Sequence, residues 1–357
     1  MAKLTVLKGT PASQGYEFPP EWHPHRATWF SWPRPEGISF PDKYHTVPEN
    51  LARIFREIAP REQVHINVPN GNYEYLVKEQ LKAHGCPIRN IFFHQIKTNE
   101  SWCRDHGPAF VLKKGKGGRK QAAIVDWGFN AWGGKYPPYD DDDAVPTKIA
   151  EDLKLPVFYP GIVMEGGAVE FNGAGTVMTT TSCLLNKNRN PHLSKAEIEQ
   201  YLCNFYGQKH VVWLGEGIAG DDTDGHVDDL ARFISPDTIV TAVEDDPKDA
   251  NFKILQDNLK RLTKLKDQNG QPFKIVQIPM PGVVERDRQR LPATYVNFYF
   301  INGALLVPTF GNRRRDRKAL KILQANLPRH RVIGIDCTEL IWGLGAIHCL
   351  SQQQPKW

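Results

Sequence analysis

A recurring hairpin constrains this chain more than any other feature. Five times a Gly-containing polar turn opens into a hydrophobic strand, and four of those strands return through a second one. The first is Gly107-Pro-Ala-Phe-Val-Leu112, a basic turn from Lys113 to Lys120, then Ala122-Ala-Ile-Val-Asp126. The second runs from Gly167 to Phe171, turns at Asn172-Gly-Ala-Gly175, and returns from Thr176 to Thr180. The third is His226 to Ile234, the turn Ser235-Pro-Asp237, and Thr238 to Thr241; the fourth is Tyr295 to Phe300, the turn Ile301-Asn-Gly303, and Ala304 to Val307. Asn-Gly and Pro-Asp turns between β-rich runs are hairpin chemistry. The fifth opens at Gly343 and has no return strand of its own, so the segment Ala27 to Trp32 is expected to supply it.

Amphipathic stretches follow the hairpins, from Thr147 to Leu153, Ser194 to Tyr206, Pro247 to Leu265 and Arg315 to Leu327. Ser194 and Glu197 form the S-x-x-E capping box of a helix start. Openings near residues 107, 166, 225, 295 and 343 are spaced by 59, 59, 70 and 48 residues. That loose period predicts an α/β ring of strand-strand-helix-strand units, closed by both chain ends into one domain over residues 1–357. An ordinary α/β domain with unrelated hairpins would lack the closure.

Composition narrows the function. With 40% hydrophobic and 24% charged residues and no apolar run of spanning length, the chain is globular rather than membrane-embedded. No signal peptide is legible at the N-terminus, so the cytoplasm is the expected compartment. A net charge of +5 is too small for a nucleic-acid footprint. The basic run Arg313, Arg314, Arg315, Arg317, Lys318 and Lys321 reads as a solvated helix face. Six Cys are too sparse for a disulfide framework and lack zinc-ligand spacing, so free thiols and no metal are expected. Asp140 to Asp143 reads as a solvated acidic loop.

The hairpin openings hold the reactive side chains. In a ring, equivalent positions converge near the axis, which brings Asp105, Glu165, His226, Asp228, Asn297 and Cys349 to one pocket. Each has a plainer reading, Cys349 as a core thiol and His226 as a satisfied core histidine. His226 and Asp228, two apart on a strand, would share a face. The run from Glu216 to Asp229 holds six carboxylates and no Lys or Arg, which suits a cation, and Asp222 within it is taken as a substrate contact. A planar guanidinium fits paired carboxylates. Asp105 and Asp228 would grip it while the Cys349 sulfur attacks its central carbon; His226 would protonate departing ammonia and then activate water. No cofactor is required. The same acids would oppose the oxyanion of a cysteine protease.

The motifs resemble those of the agmatine deiminase family, within the peptidylarginine-deiminase-like guanidine-modifying enzymes. The likeness lies in Pro20-Glu-Trp-His-Pro-His-Arg-Ala-Thr-Trp29, Trp102-Cys-Arg-Asp-His-Gly-Pro108, Trp127-Gly-Phe-Asn-Ala-Trp-Gly-Gly134, Glu165-Gly-Gly167, the stretch from Leu184 to Ser194, Asp221 to Asp229, and Ile347-His-Cys-Leu-Ser-Gln-Gln-Gln-Pro355. The resemblance implies the pentein fold, a fivefold pseudosymmetric α/β propeller, and conversion of agmatine to N-carbamoylputrescine and ammonia. It implies Cys349 as nucleophile, His226 as acid–base, Asp105 and Asp228 as guanidinium carboxylates, and Trp102, Glu165 and Asn297 as pocket residues. The implied partner is a small molecule, with no nucleic acid or membrane; a homo-oligomer is compatible with it. Two departures are visible. Gly343-Leu-Gly-Ala346 stands where the family has Gly-Gly-Gly-Asn, and Glu170 falls where members often carry His. Rival readings are a peptidylarginine deiminase, an amidinotransferase and a non-catalytic guanidine-binding protein. Of nine Trp, Trp102 is expected against the substrate, and Trp127 and Trp132 beside a covering loop.

Overall fold

Five sheets repeat one pattern, an antiparallel hairpin with a third strand added in parallel after a helical crossover. The structure is a computed structural model that describes residues 4–40, 42–115 and 120–357; the tip of the first hairpin lies outside the described residues. The hairpins are Ala109–Lys114 with Lys120–Val125, Val169–Phe171 with Thr176–Thr180, Ala231–Ser235 with Thr238–Val243, and Tyr299–Ile301 with Ala304–Thr309. Their parallel partners are Val157–Phe158, His210–Leu214, Lys274–Pro279 and Arg331–Asp336.

The fifth sheet joins the two ends of the chain. Gln352–Pro355 pairs antiparallel with His25–Ser31, which continues in parallel to Gln63–Asn67 and Ile91–His94. The Trp29 indole N–H donates to Gln354 Oε1 at 2.7 Å and fastens the seam. Each unit touches the next, and the fifth touches the first, so the ring expected from the hairpin spacing is present.

Local sequence explains the crossovers. Helix Lys195–Tyr206 starts at the capping box of Ser194 and Glu197 and stops at Gly207, whose φ of 66° suits a residue without Cβ. Helix Val47–Ile58 buries Leu51, Ile54, Phe55 and Ile58, one stripe at helical spacing. Arg313–Asn326 carries the basic run, with Ala319 and Leu323 turned inward. Among the described residues, no helix is long and apolar enough to cross a membrane.

Two expectations about the hairpins change. His226 is not on a strand: it precedes a 3₁₀ turn at Val227–Asp229, and the strand begins at Ala231. The fourth unit likewise becomes strand only at Tyr299, leaving Asn297 in the preceding loop. Asp140–Asp143 is a short helix rather than a solvated loop. Its Asp142 is buried because it accepts from the backbone N–H groups of Asn99 at 2.7 Å and Glu100 at 3.1 Å. It thereby fixes the segment leading into Trp102.

Candidate active site

Short helical turns at the hairpin openings aim side chains at one point near the axis. Asp105 sits on Cys103–His106, Glu165 precedes the turn Gly166–Ala168, Asp228 lies in Val227–Asp229, and Cys349 sits on Ile347–Leu350. Gly167 occupies that point. A Cβ there would fall 2.6 Å from His226 Nδ1, 2.8 Å from Asp105 Oδ1 and 3.1 Å from Asp228 Oδ2. Gly345 plays a similar part beside Cys349, since a Cβ would stand 2.5 Å from the Trp102 ring.

Of these residues, Asp105, Gly345 and Cys349 border a cavity of about 180 Å³, while His226, Asp228 and Gly167 lie behind its wall. Trp102, Asp105, Trp132, Tyr136, Asp222 and Cys349 face it. Asp105 is held from two sides: Gly167 N–H donates to Oδ1 at 2.9 Å, and the Trp132 indole N–H donates to Oδ2 at 3.0 Å. Its Oδ1 lies 3.7 Å from His226 Nδ1. Cys349 Sγ accepts from Asn297 Nδ2 at 3.0 Å and lies 3.8 Å from Asp228 Oδ2. The Asn297 amide also donates to Asp229 at 3.0 Å, so it steadies the thiol from beneath instead of facing the cavity.

The expected substrate contacts divide. Trp102 and Asp222 line the cavity. Glu165 does not: it is fully buried and receives the Arg189 Nε–H at 2.6 Å. Asp222 accepts from the Tyr136 hydroxyl, and Lys135 lies 3.5 Å from its carboxylate. Trp132 is at the cavity as expected. Trp127 is not among the cavity residues; its ring packs 5.0 Å from Tyr206, because its apolar surface is buried in a neighbouring core. Leu344 also borders the cavity and adopts φ 67°, a left-handed conformation that a branched side chain takes with strain.

Burial and mutual repulsion set the protonation. Cys349 is pushed well above the usual thiol range by burial and by Asp228, Asp229 and Asp105. Burial, with Asp228 and Glu165, lifts Asp105 to about 6 against the opposing pull of His226. Burial would lower His226, but Asp105 first, then Cys183 and Asp228, raise it on balance. Burial also opposes ionisation of Asp228; the His348 hydrogen bond and charge hold it below its ordinary value. The resting site therefore pairs a protonated thiol with an imidazolium among carboxylates.

Among the described residues, two side-chain groups come close enough to hold a metal, Glu165 with Cys183 and His226, and Asp228 with Asp229 and Cys349. Both already face donors. Arg189 occupies Glu165, and the Asn297 amide is directed at Asp229 and Cys349. A hydrogen-bond donor pointing at a ligand atom competes with a cation there, so neither group fits a resident ion.

Sequence reasoning missed the layer behind the carboxylates. Glu21 and Arg104 lie within quoted motifs, but nothing in their spacing says they meet. Glu21 Oε2 is 2.8 Å from Arg232 Nη2 and 3.4 Å from Arg104 Nη2, and Arg232 Nε donates to Glu170 at 2.8 Å. Glu170, where the resembled family often has His, is thus half of a buried ion pair.

Comparison with known proteins matches residues 17–355 to the family described as Porphyromonas-type peptidyl-arginine deiminase. An agmatine deiminase of Ectopseudomonas mendocina is 36% identical, covering 99% of this chain and 99% of that protein. One of Medicago truncatula is 34% identical, over 98% of this chain and 99% of that one. In solved structures, the agmatine deiminase of Enterococcus faecalis superposes with a TM-score of 0.91 at 32% identity, over 99% of this chain and 100% of that chain.

Proposed function

The chain belongs to the Porphyromonas-type peptidyl-arginine deiminase family, and we propose that it is an agmatine deiminase, hydrolysing agmatine to N-carbamoylputrescine and ammonia. The observation that carries this reading is a thiol set beside two buried carboxylates that no Lys or Arg neutralises. Neither Asp105 nor Asp228 forms an ion pair with Lys or Arg among the described residues; the nearest titratable side chains are the histidines His226 and His348. A guanidinium bound beside them supplies the charge that no Lys or Arg provides and offers N–H donors to their oxygens.

Its arrival also changes Cys349. The acids that keep the proton on sulfur are neutralised, so the thiol releases its proton to solvent and the thiolate forms when substrate is present. Sulfur attacks the guanidinium carbon, the His226 imidazolium protonates the departing nitrogen, and ammonia leaves an S-alkylthiouronium. Neutral His226 then takes a proton from water, hydroxide adds to the same carbon, and the C–S bond breaks to release the thiolate and the urea product, whose hydroxyl proton passes to the departed ammonia or to solvent. Acid–base help of this kind contributes roughly 10²–10⁴-fold.

Agmatine is favoured over arginine by the far wall. Glu100 and Asp222 border the cavity and suit a distal ammonium, while no Arg borders it to receive an α-carboxylate among the described residues. Peptidyl-arginine is the second reading, favoured by the description of the family itself. Ammonia release from agmatine, arginine and peptidyl-arginine decides between them. Turnover of agmatine with loss of activity in Cys349→Ala is expected; turnover of peptidyl-arginine alone would reverse the assignment. Product analysis with an added amine acceptor checks hydrolysis against amidino transfer.

A further inference from the structure

His348 precedes the nucleophile and has no part in the steps above. It is 1% exposed, and both ring nitrogens are engaged: Nδ1 lies 2.6 Å from Asp228 Oδ2, and Nε2 lies 2.8 Å from Glu21 Oε2. Its backbone is equally fixed. The His348 N–H donates to Asn297 Oδ1 at 3.1 Å, and Arg104 Nε–H donates to its carbonyl at 3.4 Å. Glu21 is anchored in turn by Arg232, and its other oxygen accepts from Phe300 N–H at 2.8 Å.

Asp228 shows the effect. Its Oδ2 is held by His348, while its buried Oδ1 has no hydrogen-bond partner. The two oxygens of a carboxylate are equivalent until one is pinned; pinning one fixes the plane and presents the other. An unpartnered buried oxygen is costly in isolation and is best explained by a donor it awaits.

We infer that His348 is a positioning residue, which holds Asp228 through Oδ2 so that Oδ1 faces the guanidinium, and transmits the anchorage of Glu21 and Arg232 to the site. This inference rests on the guanidine reading of the site. The plainer alternative is a satisfied buried histidine whose loss costs stability alone.

Two amide variants separate these. In His348→Asn the amide nitrogen falls near the position of Nδ1 and keeps a donor toward Asp228. In His348→Gln it falls near Nε2 and keeps a donor toward Glu21 alone. Loss of one charge-assisted bond corresponds to roughly 10- to 100-fold. The expected result is kcat/KM for agmatine lowered about that much in His348→Gln, mainly through KM, with His348→Asn largely rescued at comparable melting temperatures. Equal losses in both, or losses that follow the melting temperature, overturn the inference. Calorimetric binding of agmatine in the Cys349→Ala background repeats the comparison without chemistry. Should either variant fail to fold, ¹⁵N-histidine NMR of Cys349→Ala gives the answer directly: a proton on His348 Nδ1 with and without agmatine is expected, and a bare Nδ1 refutes the role. Wild-type ammonia release reports separately on the proposed function, so the two can fail independently.

Discussion

The front and back of this site hold similar numbers of buried charges and treat them in opposite ways. Behind, Glu21, Glu170, Arg104 and Arg232 interlock, with Arg232 bonded to both acids. In front, Asp228 Oδ1, His226 Nε2, Glu165 Oε2 and Asp221 Oδ2 are buried without hydrogen-bond partners, whereas no side-chain atom of the rear four residues is orphaned in this way. The rear is a completed ionic cluster, although burial still lifts Glu170 to about 7 against the pull of Arg232. The front leaves buried polar atoms open, and no Lys or Arg among the described residues pairs with Asp105 or Asp228. The difference separates what the protein does for itself from what it leaves for a ligand.

Several substitutions should sharpen that contrast. Cys349→Ala removes the attacking atom, and ammonia release should fall roughly 10⁴–10⁶-fold, while agmatine still binds by calorimetry. Arg232→Met breaks the rear cluster and leaves Glu170 without its ion-pair partner; denaturant unfolding should show a loss of about 3–5 kcal/mol that agmatine does not restore. Asp105→Asn tests the front. It should lower kcat/KM by roughly 10²–10³-fold, yet leave the melting temperature unchanged or higher, because a strained carboxylate has been neutralised. A large fall in stability would place Asp105 with the structural charges.

The smallest effect concerns pH. Asp105 is raised from 3.8 to about 6 in the free protein, so it is neutral below that point and loses its attraction for a guanidinium. Consequently kcat/KM for agmatine should decline as pH falls through about 6. Stability runs the other way: the folded state favours the protonated acid, so this group's contribution diminishes as pH rises from about 4 past 6. A stability profile for Asp105→Asn flatter than that of the native chain checks the sign.

The ring and its contents were legible to different depths. Turn residues and strand alternation are local signals, which is why the hairpins, the capping box and the closing role of Ala27 to Trp32 could be read directly. The convergence of Asp105, His226, Asp228 and Cys349 followed from one geometric idea, equivalence of hairpin openings. What failed was conformation within those openings: period-two alternation placed His226 and Asp228 on a strand, but a 3₁₀ turn carries them. The rear cluster was illegible for another reason. Glu21 and His348 meet across 327 residues, and a lone Glu or Arg in sequence looks the same whether solvated or buried. Trp127 was misplaced because an indole's apolar bulk serves a core as readily as a pocket.

The seam between His25–Ser31 and Gln352–Pro355 has a consequence for biosynthesis. Cys349 lies three residues ahead of the closing strand. During translation the acidic residues emerge long before the sulfur does, and when the sulfur arrives the last strand follows almost at once. Strand pairing over such a distance is slow compared with local hairpin formation. A nascent chain therefore carries the carboxylates before the thiol, and the full set of site residues is assembled only with closure of the ring.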